Sequence, residues 1–259
     1  MSIDSLPANL PAKLPLSLVV ITLNEEKNLK ACIDSVPFAS DIVVLDSFSK
    51  DKTKEISTQA GARFYEQSWL GFGPQKNKAV ELAKYDWVLS LDADERLSPE
   101  LQAEILEQFE TLSAQTGYLL PRISFYLGRW IRYGGWYPDY QLRLFNRKHS
   151  KWDQAGIHEK VVSPQTSKFK TPIQHYVFNS ISHQVITNDK YSSLQAQHLF
   201  KEKKSKFSLF RLVTKPWVKF VENYFYKRGF LDGVPGFVIA VGSAYSVFLK
   251  HAKLWEQQK

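Results

Sequence analysis

Three apolar runs, each closed by carboxylate, amide or hydroxyl side chains and separated by stretches of helical periodicity, constrain this chain more than any other feature. They are SLVVIT (17–22), DIVVL (41–45) and WVLSL (87–91). Such runs, rich in Val, Ile and Leu, belong to strands covered on both faces. Between them the pattern predicts helices over 26–36, halted before Pro37, over about 52–60, with Gly61 as the stop, and over 75–84. A short strand is expected at 62–65. Strands joined by helices of this length need right-handed crossovers and a mainly parallel sheet. The expected fold class is therefore an α/β sandwich.

In sheets of this kind ligands bind beyond the carboxyl ends of the strands. Those ends carry Thr22-Leu23-Asn24-Glu25, Asp46-Ser47 and Asp92-Ala93-Asp94-Glu95. Asp, Asn and Ser are also ordinary caps and turn formers. Three polar clusters at successive strand ends nonetheless favour a ligand crevice. The stretch DWVLSLDADERLS (86–98) poses the sharpest question, because strand alternation would turn Asp92 and Asp94 to one side. Like charges sharing a site need a shared proton, basic partners or a bound cation.

Composition narrows the class. With 259 residues, 44% of them hydrophobic, the chain can bury a substantial core, and disorder is excluded. A single cysteine, Cys32, rules out an internal disulfide and a thiolate metal cage. The net charge of +8 favours anionic partners. The run LPLSLVVITL (14–23) lacks the cleavage pattern of a signal peptide and is read as a strand.

The second half is organised differently. A helix is expected over 99–112, a strand over 118–125, and a glycine-, aromatic- and arginine-rich loop with strand edges over 128–144. Between positions 201 and 228 nine lysines and arginines stand against two glutamates, with Phe, Trp and Tyr interleaved. The apolar run GFVIAVGSAYSVFL (236–249) has 14 residues, too few to cross a bilayer. Either it is a core helix, or it joins the basic, aromatic segment in resting on an anionic membrane surface. The second reading is preferred because of the charge excess, and two regions are expected: residues 1–190, and a helical, membrane-associating segment 191–259 packed on it.

The motifs SLVVITLNEEKNLKACIDSV, DIVVLDSFSKDKT and QKNKAVELAKYDWVLSLDADE resemble, in order and spacing, the inverting glycosyltransferases of family 2. Later motifs, YPDYQLRLF, GIHEKV and GFLDGVPGFVIAVGSAYSVFLKHAKLWE, are similar to the subgroup of β-1,4-glucosyltransferase type that builds the lipopolysaccharide core. The resemblance spans nearly the whole chain. It implies a GT-A fold and transfer of a hexose, glucose from UDP-glucose, onto a heptose of the lipid A-core. A family 2 enzyme acting on another lipid-linked acceptor, such as a polyprenyl phosphate sugar, is the alternative. Such an enzyme would work on the cytoplasmic face of the bacterial inner membrane.

The resemblance also implies roles. Thr22, Asn24, Glu25 and Asp46 would bind the nucleotide-sugar, together with Lys76, Asn77 and Asp92. Asp94 would hold Mg²⁺ or Mn²⁺, with Asp92 and His158 as further candidates. Phe48 stands where the family carries a glycine. A metal ion would stabilise the departing diphosphate, and a carboxylate would take the acceptor's proton. Asp139 is the expected base and Glu159 its rival. Tyr133, Trp136, Tyr137 and Tyr140 flank Asp139 and are candidates to stack on sugar faces. Arg143, four residues on, could instead pair with Asp139 in a loop cap.

Other classes fit less well. Nucleic-acid binding would use the basic, aromatic segment but leaves the acidic strand ends unexplained, so no nucleic-acid partner is expected. A nucleotidyltransferase would need a glycine-rich phosphate loop after the first strand, where TLNEEKN stands instead.

Overall fold

The computed structural model describes residues 13–153, 159–178, 180–201 and 204–259. Two compact units divide the chain, the first containing residues through Arg122 and Tyr140–His175, the second Ile123–Asp139 and Tyr176–Lys259.

The first unit opens as the sequence predicts. Strand β1 (Leu14–Thr22) leads through α1 (Leu29–Asp34) to β2 (Ala39–Asp46), α2 (Thr53–Gln59), β3 (Arg63–Glu66), α3 (Phe72–Glu81) and β4 (Trp87–Asp92). These four strands are parallel, in the order β3-β2-β1-β4. Gly61 ends α2 at φ +72, a left-handed conformation that costs glycine nothing. The apolar runs are buried on both faces because alternate residues enter different cores. Leu16, Leu18 and Val20 of β1 join Val44, Leu89 and Leu91 on one side. Val19 joins Val43, Leu45 and Val88 on the other, under Ala79 and Val80 of α3. At about 1.5–3 kcal/mol for each buried aliphatic side chain, these two layers dominate the unit's stability.

Beyond β4 the sheet turns mixed. β5 (Glu95–Leu97) precedes α4 (Pro99–Gln108), which Ser98 caps through Leu101 N–H and which ends in a 3₁₀ turn. β6 (Thr116–Tyr126) runs from the first unit into the second, where its end pairs antiparallel with β7 (Arg129–Ile131). β8 (Asp139–Asn146) returns antiparallel to β4. The short strands β9 (Lys151–Trp152), β10 (Val161–Val162), β11 (Gln165–Lys168) and β12 (Ile173–His175) complete the set. β9 and β10 form a separate ribbon, β11 lies beside β6, and β12 pairs with β5. The full order is β3-β2-β1-β4-β8-β6-β12-β5. The expected α/β architecture is thus present, with the parallel half carrying the polar strand ends.

The second unit is largely helical: α5 (Ile181–Lys201), α6 (Leu209–Val221) and α7 (Gly233–Glu256), with a π turn at Glu222–Tyr226 and a 3₁₀ turn at Gly229–Asp232. Its small core gathers Tyr126, Ile131 and Ile239, with Trp136 and Phe178 against them. Asp232, fully buried, accepts the backbone N–H groups of Arg132 and Tyr133. The apolar run over 236–249 belongs to a longer helix than its composition indicated. The helical stretch Gly229–Glu256 spans 28 residues and is long and apolar enough, by length and composition, to cross a membrane. The 14-residue bound was too short because the helical stretch continues on both sides of the run, from Gly229 before it and through Lys250, His251 and Lys253 after it.

Candidate active site

The carboxyl ends of the parallel strands stand level. Thr22 of β1 faces Asp46 of β2 across the ladder, and Ile21 faces Asp92 of β4. Parallel pairing in register makes this so, and it brings the three polar clusters to one edge of the sheet.

At the first two ends the polar groups hold each other. Thr22 donates to Asp46 Oδ1 at 2.8 Å, and Ser49 donates its N–H to Asp46 Oδ2 at 2.7 Å. Asp46 is fully buried and is fixed by these donors. Asn24, at φ +58, accepts the Lys50 N–H through Oδ1, while its own N–H donates to Ser49 Oγ. Phe48 is also left-handed, at φ +63, and its ring is exposed. The position where the resemblance expects glycine therefore has the conformation glycine favours. Burial raises the Glu25 carboxyl; the Asn28 amide opposes this, and Asp94, Asp51 and Asp92 add to it.

At the third end the two aspartates part company. β4 stops at Asp92, so Asp94 lies in the turn before β5 and strand alternation does not set its direction. This corrects the expectation of two carboxylates on one strand face. Asp94 meets His175 Nε2 of β12 at 3.3 Å, whereas Asp92 is gripped by cations. Lys76 Nζ of α3 lies 2.9 Å from Asp92 Oδ1, and the Arg143 guanidinium of β8 pairs with Oδ2. Burial works against ionisation of Asp92, but Arg143 and Lys76 outweigh it and hold the carboxyl well below the usual carboxylate range. The repulsion between Asp92 and Asp94 is therefore relieved by basic partners within the protein.

The network extends further. Arg143 also reaches the fully buried Glu95 at 2.6 Å, and Arg122 reaches the same oxygen at 3.2 Å. Lys76 bridges to Glu159 at 3.1 Å and stands 4.4 Å from the centre of the Trp152 ring. Asn77 is committed to β9: its amide donates to Trp152 O and accepts Trp152 N–H, both at 2.9 Å. Glu159 thus joins the Asp92 cluster, and Arg143 serves this cluster. Arg122 and Trp152 were not singled out from the sequence, and Glu95 was read only as the last member of its strand-end cluster. Glu95 opens β5, and its partners Arg122 and Arg143 come from strands far along the chain, so no local signal predicts them.

The remaining expectations fall elsewhere. His158 lies outside the described residues. Asp139, half-buried, is the first residue of β8 and the last of the second unit's segment Ile123–Asp139. Of the aromatics around it, Trp136 is occupied in packing on Tyr126 and Phe178, with ring centres 6.0 and 6.2 Å away. Tyr133 and Tyr140 are exposed, the latter under Lys168 Nζ at 4.1 Å.

A hard divalent cation prefers oxygen ligands, and Mg²⁺ commonly takes one or two carboxylates with substrate phosphates. Among the described residues no three His, Cys, Asp or Glu side chains group as a metal cage. Asp94 fits the one-carboxylate mode, because it is partly exposed.

Known proteins are similar along the chain. An uncharacterized glycosyltransferase of Rickettsia typhi is 35% identical over 259 residues, covering 93% of this chain and 87% of that protein. The lipopolysaccharide core biosynthesis glycosyltransferase LpsC of Rhizobium meliloti is 30% identical over 259 residues, covering 95% and 93%. Among solved structures, that of S. aureus TarS 1–349 in complex with UDP is 13% identical, with a TM-score of 0.48 over 95% of this chain and 92% of that one. The family described as glycosyl transferase family 2 matches residues 17–165, from within β1 to the start of β11. With that match over more than half its length, and an α/β fold of the GT-A type beneath it, the chain belongs to glycosyltransferase family 2.

Proposed function

We propose that this glycosyltransferase moves glucose from UDP-glucose, with inversion, onto a heptose of the lipopolysaccharide inner core. The observation that carries the reading is the strand-end cluster of Asp92, Lys76, Arg143 and Asp94 in a chain of this family. The acceptor class rests on the likeness to LpsC, whose name gives lipopolysaccharide core biosynthesis. Glucose and the heptose rest on the sequence resemblance alone.

In this reading Thr22, Asn24, Glu25 and Asp46 line the nucleoside end of the donor, with Lys76 and Asn77 beside them. Lys76, between two carboxylates, has the charge to receive a diphosphate oxygen when one arrives. Asp94 would hold Mg²⁺ or Mn²⁺, with Asp92 and His158 as further candidate ligands. When bound, the ion acts as a Lewis acid on the leaving diphosphate. Asp92, paired with Arg143 and Lys76, also positions these two side chains. Asp139 accepts the acceptor's proton, on the face opposite the leaving group, as single-displacement inversion demands. Glu159 is the second reading for the base, favoured by its 3.1 Å contact with Lys76.

The test is UDP release from a panel of UDP-sugars, with Mg²⁺, Mn²⁺ or EDTA, with and without truncated lipopolysaccharide. Metal-dependent release with one sugar, only in the presence of that acceptor, is the expected outcome. Release with a polyprenyl phosphate acceptor instead would replace the acceptor, and no release or UDP binding at all would overturn the site. Asp139→Asn is expected to abolish transfer while leaving UDP affinity within about twofold, since a base acts in the transition state. A dead Glu159→Gln beside an active Asp139→Asn would reverse the assignment.

The second unit, through residues 191–259, is proposed to attach the enzyme peripherally to the cytoplasmic face of the inner membrane, where a lipid-anchored acceptor resides.

A further inference from the structure

Helix α6 is an amphipathic helix turned outward. None of its residues is buried. Phe210, Val213, Trp217 and Val221 follow one stripe at intervals of three and four, all exposed, Phe210 at 75% and Trp217 at 69%. A globular helix ordinarily turns such a stripe inward. α7 repeats the feature: Val234, Phe237, Val241, Tyr245 and Phe248 are exposed at the same intervals, while its other side lies against α5 and α6. Both stripes belong to the second unit.

Cations occupy the polar side of the same helices, as on helices that lie in a membrane surface. Arg211, Lys215 and Lys219 recur every four residues and so share a second stripe of α6, turned to the side away from the apolar one. Lys250 and His251 of α7 come near them. Burial lowers the Lys250 pKa, and Lys219 and Lys215 lower it further; burial likewise lowers His251, followed by Lys250, Arg211 and Lys215. Among the described residues no carboxylate pairs with Arg211, Lys215 or Lys250. Glu222 is shared between Lys219 and Lys227. Like charges gathered with one shared carboxylate among them raise the free energy of the folded unit, and an anion at that place would relieve it.

We propose that α6 and α7 lie in the plane of a bilayer surface, their apolar stripes among the lipid chains and a glycerophospholipid phosphate seated on Arg211, Lys215, Lys219 and Lys250. Such a surface accounts for both halves of the arrangement. Trp and Tyr settle at the lipid–water boundary, and the lysines meet anionic headgroups. A second copy of the chain is a poor occupant, because a two-fold contact brings the same cations together. Binding of this kind presupposes the membrane-borne acceptor proposed above, yet it needs neither donor nor metal.

The full chain is floated with vesicles of phosphatidylcholine alone and with vesicles containing phosphatidylglycerol, at low and high salt, and UDP binding is measured on the same preparations. Flotation is expected with anionic vesicles at low salt, with release at high salt or alkaline carbonate. Each basic residue near an anionic surface contributes about 1 kcal/mol, roughly fivefold in partition. Arg211→Ala/Lys215→Ala/Lys250→Ala should therefore lose about 100-fold on anionic vesicles, and Phe210→Ser/Trp217→Ser about tenfold or more. Failure to float at low salt, equal binding to neutral and anionic vesicles, or undiminished binding by the triple variant would overturn the proposal. So would retention through carbonate, which would mean that α7 crosses the bilayer, or a dimer abolished by Phe210→Ser/Trp217→Ser without vesicle binding. Intact UDP binding with no flotation would remove the membrane site alone. Flotation without UDP binding would remove the donor site alone.

Discussion

Phe48 holds a left-handed backbone at φ +63 with about half of its surface exposed, so little burial offsets the strain. A left-handed non-glycine residue costs roughly 1–2 kcal/mol, against about 0.5–1 kcal/mol of extra chain entropy lost by glycine. Phe48→Gly is therefore expected to raise stability by up to about 1 kcal/mol in urea unfolding, whereas Phe48→Ala, which keeps the strain, should not. Arg143 has the opposite character, since it neutralises both Asp92 and the fully buried Glu95. Arg143→Met strands buried charge and should cost about 3–5 kcal/mol by the same measurement. Asp41, at the other end of β2, provides the acid limit. Burial raises its pKa, but Arg63, the Lys84 N–H and Ser17 prevail and hold it below 3.8. A depressed folded-state pKa stabilises above the unfolded value and ceases to do so as pH falls through the folded one. The stability gap between wild type and Asp41→Asn should be full above about pH 4 and shrink below it.

At the scale of elements, α7 depends on a close approach at its first turn. A Cβ on Gly236 would stand 1.9 Å from the carbonyl oxygen of Gly229, a backbone atom that Asp232 and the 3₁₀ turn hold in place. Gly236→Ala is expected to displace the start of α7 and lower the thermal midpoint of the chain. Gly242→Ala is the control. There the nearest atom is a side-chain one, the amide nitrogen of Gln184 at 2.8 Å, and alanine is the better helix former by about 1 kcal/mol. A small change of either sign at Gly242, beside a large loss at Gly236, would identify backbone contact rather than helix propensity as the constraint. Equal effects would refute it.

For the molecule as a whole, donor binding should appear as stability. A ligand at 100 times its Kd adds about 2.7 kcal/mol to a protein that binds it only when folded. UDP with Mg²⁺ is expected to raise the unfolding midpoint more than UDP with EDTA. Asp94→Asn should remove the difference between the two while keeping the metal-free part, which Lys76 supplies. An Asp94→Asn protein with an undiminished Mg²⁺ increment would assign the ion elsewhere.

The sequence by itself determined the parallel half of the fold. β1, β2 and β4 are apolar on both faces, and α2 has its glycine stop, so local pattern was sufficient there. It also determined that polar residues end each of those strands, and through its motifs the family. The short strands β5 and β9–β12 were not legible, because two to four residues acquire strand character only from partners far along the chain. The same reason governed the site. Whether Asp92 is neutralised by an ion or by side chains depends on Arg143, 51 residues away, and Glu159 reaches Lys76 across 83 residues. In the second unit the amphipathic periodicity of α6 and α7 was present in the sequence, but a periodic pattern has no inside. Only tertiary packing, which set α7 against α5 and α6, decided that the Phe210–Val221 stripe faces outward.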